Sequence, residues 1–420
     1  MKYILSALCF LTLLTSCLQN DVVLKSSPHI KTFKFNSHTE VPSIERTVFT
    51  VDTINCLIYN EDSVTYGCNL TKLMPTLTYT GTPQKIKVND VEWDGSDSID
   101  FTNAVSMYIL SQNKQNEATY TISVNQHTVN PDEIIWKNPI TLTGNASSFK
   151  VVATDQTIYT FVYEPIADEY TYTVYSLNGN SWTQVASFTS EYSITSLATF
   201  QDKIYATEQT GLTLLEWELD KWESVANLSE GKMTTLLGSI NQALWIASQN
   251  NEGATSLLFY NAEQISTSNK VALPNQFALN GATSLQTPYG LYLIGGEQDG
   301  VAQNCIVSTD NGYYWTNILN QSGKYSILPC YNAICAYYNH RLYVIGGLNS
   351  HQVVANNYYS DNNGYSWTEM PSYQQLPAAF TYKDGACAAV CNDNIYIFNA
   401  QNHALQVWEG RIRKVDFIRK

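Results

Sequence analysis

Leu291-Tyr292-Leu293-Ile294-Gly295-Gly296, with Ser308-Thr309-Asp310-Asn311-Gly312-Tyr313-Tyr314-Trp315 behind it, occurs twice in this chain. The second copy is Leu342-Tyr343-Val344-Ile345-Gly346-Gly347 with Ser360-Asp361-Asn362-Asn363-Gly364-Tyr365-Ser366-Trp367. Its aliphatic–aromatic pair returns as Ile158-Tyr159, Ile204-Tyr205, Leu244-Trp245 and Ile395-Tyr396, so six copies fall roughly every 40 to 53 residues. A period of that size marks propeller blades or solenoid units. Small residues precede several pairs, as in Ser196-Leu197-Ala198, Ile334-Cys335-Ala336 and Cys387-Ala388-Ala389. They suit inner strands crowded around an axis.

The second half of the repeat has the chemistry of a hairpin turn. Asp or Asn caps it, Gly takes positive φ, and Trp packs between repeats. Weaker copies are Tyr175-Ser176-Leu177-Asn178-Gly179-Asn180-Ser181-Trp182 and Leu219-Asp220-Lys221-Trp222. No such Trp follows Trp408. Glu133-Ile134-Ile135-Trp136, ahead of the first repeat, can supply the missing strand and close a ring, which removes exposed sheet edges.

Two resemblances follow. The paired glycines after the strands resemble Kelch repeats. Ser308, Asp310, Gly312 and Trp315 resemble the Asp-box found in sialidases and other propellers; Ser360, Asn362, Gly364 and Trp367 match it with Asn in the Asp position. These residues are expected to be structural turns. The expected fold is all-β: a six-bladed Kelch-like propeller over 131–420, behind a β-sandwich over 31–130.

In that sandwich, Asp100-Phe101-Thr102-Asn103-Ala104-Val105 precedes the alternating strand Ala118-Thr119-Tyr120-Thr121-Ile122-Ser123-Val124. The pattern resembles the Ig-like modules of Bacteroides-type surface lipoproteins, which implies a spacer or docking unit. Tyr120, Ile122 and Val124 share one face of the strand.

The N-terminus reads as a secretory signal: Lys2, an apolar run from Ile4 to Leu14, then Leu14-Thr15-Ser16-Cys17. This resembles the bacterial lipobox. It implies cleavage after residue 16, lipidation of Cys17, and a tether over 17–30. Leu18 in place of Asp favours the outer membrane by the enterobacterial sorting rule, and the cell surface is a further expectation. The lipid is the only expected membrane attachment.

A net charge of −14 repels nucleic acid, which is excluded as a partner. Cys56 and Cys68 could pair. Cys305, Cys330, Cys335, Cys387 and Cys391 lack zinc spacing; Cys387 and Cys391, on one strand face among Ala386, Ala388 and Ala389, read as small buried packing residues, with a disulfide or metal as the alternative.

Catalytic sets are sparse. Sialidases need an arginine triad, and after residue 140 the chain has only Arg341, Arg411, Arg413 and Arg419. The copper-radical oxidases among Kelch propellers need a Tyr–Cys crosslink and two His; the available histidines are His340, His351 and His403. A mutarotase-like site would use Glu297 with an arginine. No catalytic residue, metal or cofactor is assigned. Sugar binding uses aromatic faces flanked by polar groups. Candidate ligand contacts on the loops after the second strands and before the first strands are Tyr163, Tyr192, Glu297, Asp299, Lys324, Tyr325, His351, Tyr373 and His403. The expected function is a non-catalytic binding module for glycan or an outer-membrane protein partner. Alternatives are a carbohydrate-active enzyme (mutarotase, oxidase or lyase-like) and a structural or assembly component.

Overall fold

The structure is a computed structural model. It describes residues 25–143, 148–178, 181–267, 274, 279–318 and 326–413. Cys17, Lys324 and Tyr325 lie outside the described residues. The described residues divide into two compact units, 25–131 and 132–413.

Among its described residues, the regular elements of the first unit are strands and one 3-10 turn, Ile44–Arg46. One sheet runs in the order Phe49–Asp52, Leu57–Asn60, Glu117–Ser123, Val105–Ser111, Pro83–Val88, Val91–Glu92. Leu57–Asn60 and Glu117–Ser123 pair in parallel, and the other neighbours are antiparallel. Ile30–Phe35 pairs separately with Pro75–Tyr79. Alternation places Val105, Met107 and Ile109 in the core, opposite Ala118, Tyr120 and Ile122. Phe33, Phe35, Phe49 and Phe101 meet edge to face, a favourable arrangement of ring quadrupoles. The Asp100 carboxylate accepts the Thr102 N–H at 2.9 Å and folds the turn that delivers Phe101 to this cluster. Cys56 and Cys68 are free thiols, so the pairing open to them in sequence is not made.

The described residues of the second unit form six sheets of four or five strands, laid down in chain order, and one separate hairpin, Leu348–Asn349 with Gln352–Val353. The first is Ser148–Ala153, Ile158–Ile166, Glu169–Asn178 and Ser181–Ser190. The second is Ile194–Phe200, Lys203–Glu208, Thr213–Glu218 and Lys221–Asn227. The third is Lys232–Ile240, Ala243–Gln249, Thr255–Tyr260 and Ile265–Thr267. The fourth takes Asn280–Thr287, Gly290–Gln298, Ile306–Thr309 and Thr316–Asn317. The fifth takes Ile334–Tyr338, Arg341–Ile345, Tyr358–Ser360 and Thr368–Glu369. The sixth is Cys387–Cys391, Asn394–Gln401 and Ala404–Ile412, completed from upstream by Ile134–Trp136 and Ile140–Thr143, which both pair with Ala404–Ile412.

Neighbouring sheets share their cores. Separate apolar clusters lie between the first and second sheets, the second and third, and so on, and another joins the sixth to the first. The innermost strands likewise neighbour each other in a cycle. Tryptophans after the third strands reach back onto the preceding sheet. Trp182 meets Tyr396 and Phe398 edge-on, and Trp222 lies 5.2 Å from Phe161. Trp315 packs with Trp245, and Trp367 with Tyr292 and Ile294. Trp136, on the upstream strand, lies over Gly410 and packs against the core shared by the fifth and sixth sheets.

The two repeated turns are built differently. At 360–367, Ser360 Oγ accepts the Gly364 N–H at 2.9 Å and Asn362 Oδ1 accepts the Ser366 N–H at 3.0 Å. At 308–315 the neighbours of the motif residues do this work: Thr309 Oγ1 accepts from Gly312, and Asn311 Oδ1 from Tyr313 and Tyr314. Asp310 is exposed. In both turns the indole N–H donates to the glycine carbonyl at 3.0 Å.

Candidate functional site

Each inner strand has one edge that no strand of its own sheet covers. Side chains of its neighbours supply partners there. Ser196 Oγ accepts the Leu236 N–H at 3.0 Å, Ser284 Oγ donates to Leu237 O at 2.6 Å, and Thr283 Oγ1 donates to Ala333 O at 2.7 Å. Gln286 Oε1 accepts the Ser239 N–H at 3.0 Å. These bonds fix the inner strands around an axial cavity of about 490 Å³, within the range of small-molecule sites.

All six inner strands line that cavity at matching positions: 151–153, 197–199, 236–238, 284–286, 335–337 and 388–390. The wall is chiefly aliphatic and small, with polar points at Thr199, Ser284, Gln286 and Tyr337. Thr154, Asp155 and Pro288 add the mouth, at the end where first strands turn into second strands. Asp155 is the one carboxylate among the described lining residues.

A second cavity, about 570 Å³, runs between the first and second sheets at the same end. Thr154 and Asp155 line it too, so the groove and the axial mouth share a wall. Its aromatic side is Tyr159 and Trp217, with ring centroids 5.2 Å apart. Its polar side is Asp202, Lys203, Glu216 and Glu218. Burial alone would raise the Glu216 pKa. The ion pair with Lys203 and the Tyr205 hydroxyl outweigh it and hold the carboxyl below its ordinary value.

The residues singled out in sequence lie elsewhere. Tyr163 is buried and donates its hydroxyl proton to Ile194 O at 2.7 Å; the half-buried Tyr192 offers its carbonyl to the Tyr172 hydroxyl at 2.7 Å. Glu297 sits at a strand end paired with Asn280 and Ala302, and Asp299 occupies the following tight turn at φ 52°. Tyr373 is exposed, and its carbonyl accepts the Ile134 N–H. His351 and His403 are exposed. All seven lie toward the end opposite the axial mouth, and none lines either cavity.

The histidines have a backbone explanation. His340, His351 and His403 are each the second of two successive positive-φ residues, after Asn339, Ser350 and Asn402. Hairpins with two-residue turns demand that geometry, which His tolerates better than most residues. Among the described residues, no three His, Cys, Asp or Glu side chains group as a metal site would need.

Reading the sequence for loop residues passed over Glu208, Trp217 and Lys150. Glu208 has a structural use. Its carboxylate accepts the N–H groups of Thr210 (2.6 Å), Leu212 (3.0 Å) and Thr213 (3.1 Å) and locks the turn after the second strand. Burial pushes its pKa up, but these bonds outweigh that and leave it lowered. Its contribution is therefore complete above the unfolded-state glutamate pKa and is lost as pH falls through the lower folded value. Glu208→Ala is expected to cost about 2 kcal/mol at neutral pH. It should also speed amide exchange across 210–213, and the deficit should shrink below about pH 4.

Residues 130–420 match the profile described as the DUF6242 beta propeller domain. The chain belongs to the DUF6242 family. Residues 23–124 match the companion profile, the DUF6242 N-terminal domain, a domain of unknown function. Comparison with curated proteins yields no match. In the DUF6242 propeller, the axial cavity is thus built from the inner strands of the propeller domain itself.

Proposed function

We propose that this DUF6242 chain is a cell-envelope lipoprotein, lipidated at Cys17 and held at the outer membrane. In this reading its six sheets are the blades of a Kelch-like, Asp-box-like propeller and its N-terminal unit is an Ig-like spacer. The propeller is a non-catalytic binding module, and its ligand is glycan.

The observation that carries this is the meeting of the groove and the axial mouth at Thr154–Asp155. A sugar chain offers CH faces to aromatic rings and hydroxyls to carboxylates, and the groove presents both along one wall. Glycosidase chemistry asks for two carboxylates, one of them kept protonated. Glu216, the buried carboxyl of the groove, is held ionised by Lys203 instead.

A glycan array on the full chain, run beside a hydrolysis assay on the same glycans, tests the reading. Binding without turnover is expected. It should weaken about tenfold, ~1.4 kcal/mol, in the double variant Asp202→Asn, Glu218→Gln. Turnover of any bound glycan would replace the binding module with an enzyme. Silence on the whole array would move the assignment to a protein partner.

A further inference from the structure

Lys150 stands in the middle of the first sheet's inner strand, paired with Phe161. Among the described residues of the six inner strands, only Lys232, exposed at a strand start, also carries charge. Lys150 precedes the cavity-lining stretch 151–153 by one residue. Its place on the strand is therefore one step deeper than the lined stretch, away from the mouth.

The same level on the other inner strands holds Ser196, Thr235, Thr283, Ile334 and Cys387. Ser196 uses its oxygen to accept the Leu236 N–H, which leaves its own proton available. Cys387, on the adjoining inner strand, is close enough for its thiol and the ammonium to influence each other. Burial pushes that thiol up to about 12, so it stays protonated and neutral. Burial also lowers the Lys150 pKa, and no described carboxylate pairs with the amine. A desolvated ammonium without a counter-charge is costly, and a bound anion relieves that cost.

We propose that the floor of the axial cavity is a binding site for one small oxyanion, with Lys150 as its counter-charge and the Ser196 hydroxyl as a hydrogen-bond donor. The site takes the carboxylate of an acidic sugar or a free phosphate. Asp155, at the mouth, is exposed to solvent, where its repulsion is screened. The acidic-sugar form rests on the glycan reading above; the oxyanion site itself does not.

Titration calorimetry on the full chain separates the possibilities with glucuronate, glucose and inorganic phosphate as probes. Glucuronate or phosphate should bind, and glucose should bind at least tenfold more weakly. Lys150→Met should abolish the anion signal, and Lys150→Arg should keep most of it, while both variants retain the wild-type melting transition to within a few degrees. If Lys150→Met unfolds the propeller, Ser196→Ala is the second variant, with an expected loss of about fivefold. Glucuronate binding favours the acidic-sugar source; phosphate alone favours the free anion. Anion binding untouched by Lys150→Met, or by Ser196→Ala where that variant is used, overturns the site, as does no binding of either anion. Glucose and glucuronate binding equally also overturns it and leaves the glycan module standing.

Discussion

Gly312→Ala should lower the stability of the propeller by about 3 kcal/mol. Two costs add. Gly312 sits at φ +80°, where a Cβ is strained by about 1 kcal/mol. A Cβ there would also fall 2.0 to 2.4 Å from three atoms of the Trp245 indole. Trp245 is wholly buried in the core shared by the third and fourth sheets and has no room to withdraw. Overpacking of this kind costs about 1–3 kcal/mol. Gly300→Ala is the internal control, because Gly300 has φ +78° with nothing within 4 Å of the added Cβ. It should show the strain alone, about 1 kcal/mol. Thermal melts of the two variants then isolate the Trp245 contact. Equal melting temperatures would show that the glycine serves only the turn.

That contact shows how far the sequence could be read. Periodicity exposed the second strands, since Leu291-Tyr292 and its copies bury an aliphatic residue at the same place in every sheet, and the aromatic beside it in all but the first, where Tyr159 is half-buried. Glycine followed by tryptophan exposed the turns. The spacing did not show which hydroxyl holds each turn. Thr309 and Asn311 replace Ser308 and Asp310 at 308–315 because hydrogen-bond geometry depends on local backbone direction, and residue type at fixed spacing does not encode that.

The ligand candidates were chosen from loops, where polar and aromatic residues stand out in composition. Many had local duties there: Tyr163 ties a neighbouring strand, and His351 and His403 satisfy positive-φ turns. The axial cavity is assembled from six segments each about fifty residues from the next, so no short pattern could announce it. Lys150 did leave a trace. It is a single charge inside Phe149-Lys150-Val151-Val152, on a strand otherwise built to be buried. Such a charge gains meaning only once the strand is known to be innermost.

Removal of residues 131–141 should have the largest effect of all, leaving a chain that aggregates. The upstream strand Ile134–Trp136 and its extension Ile140–Thr143 cover the outer edge of the sixth sheet. Lys137 N–H donates to Glu409 O at 2.8 Å, Arg413 N–H to Glu133 O at 2.8 Å, and Lys137 pairs with Glu409 at 2.6 Å. Without them Ala404–Ile412, nine residues long, is an open edge able to recruit another chain. The loss also uncovers the core that Ile134 and Trp136 pack against. Deletion alters the link to the N-terminal unit as well, so point variants must carry the interpretation. Trp136→Ala removes the ring lying over Gly410 and should cost about 3 kcal/mol. Ile135→Ala, on the same strand but 44% exposed, should stay within about 0.5 kcal/mol. Light scattering after gel filtration, with melting of the point variants, reads the result. A deletion variant that elutes and melts with the parent chain would mean that the sixth sheet stands without its upstream strand.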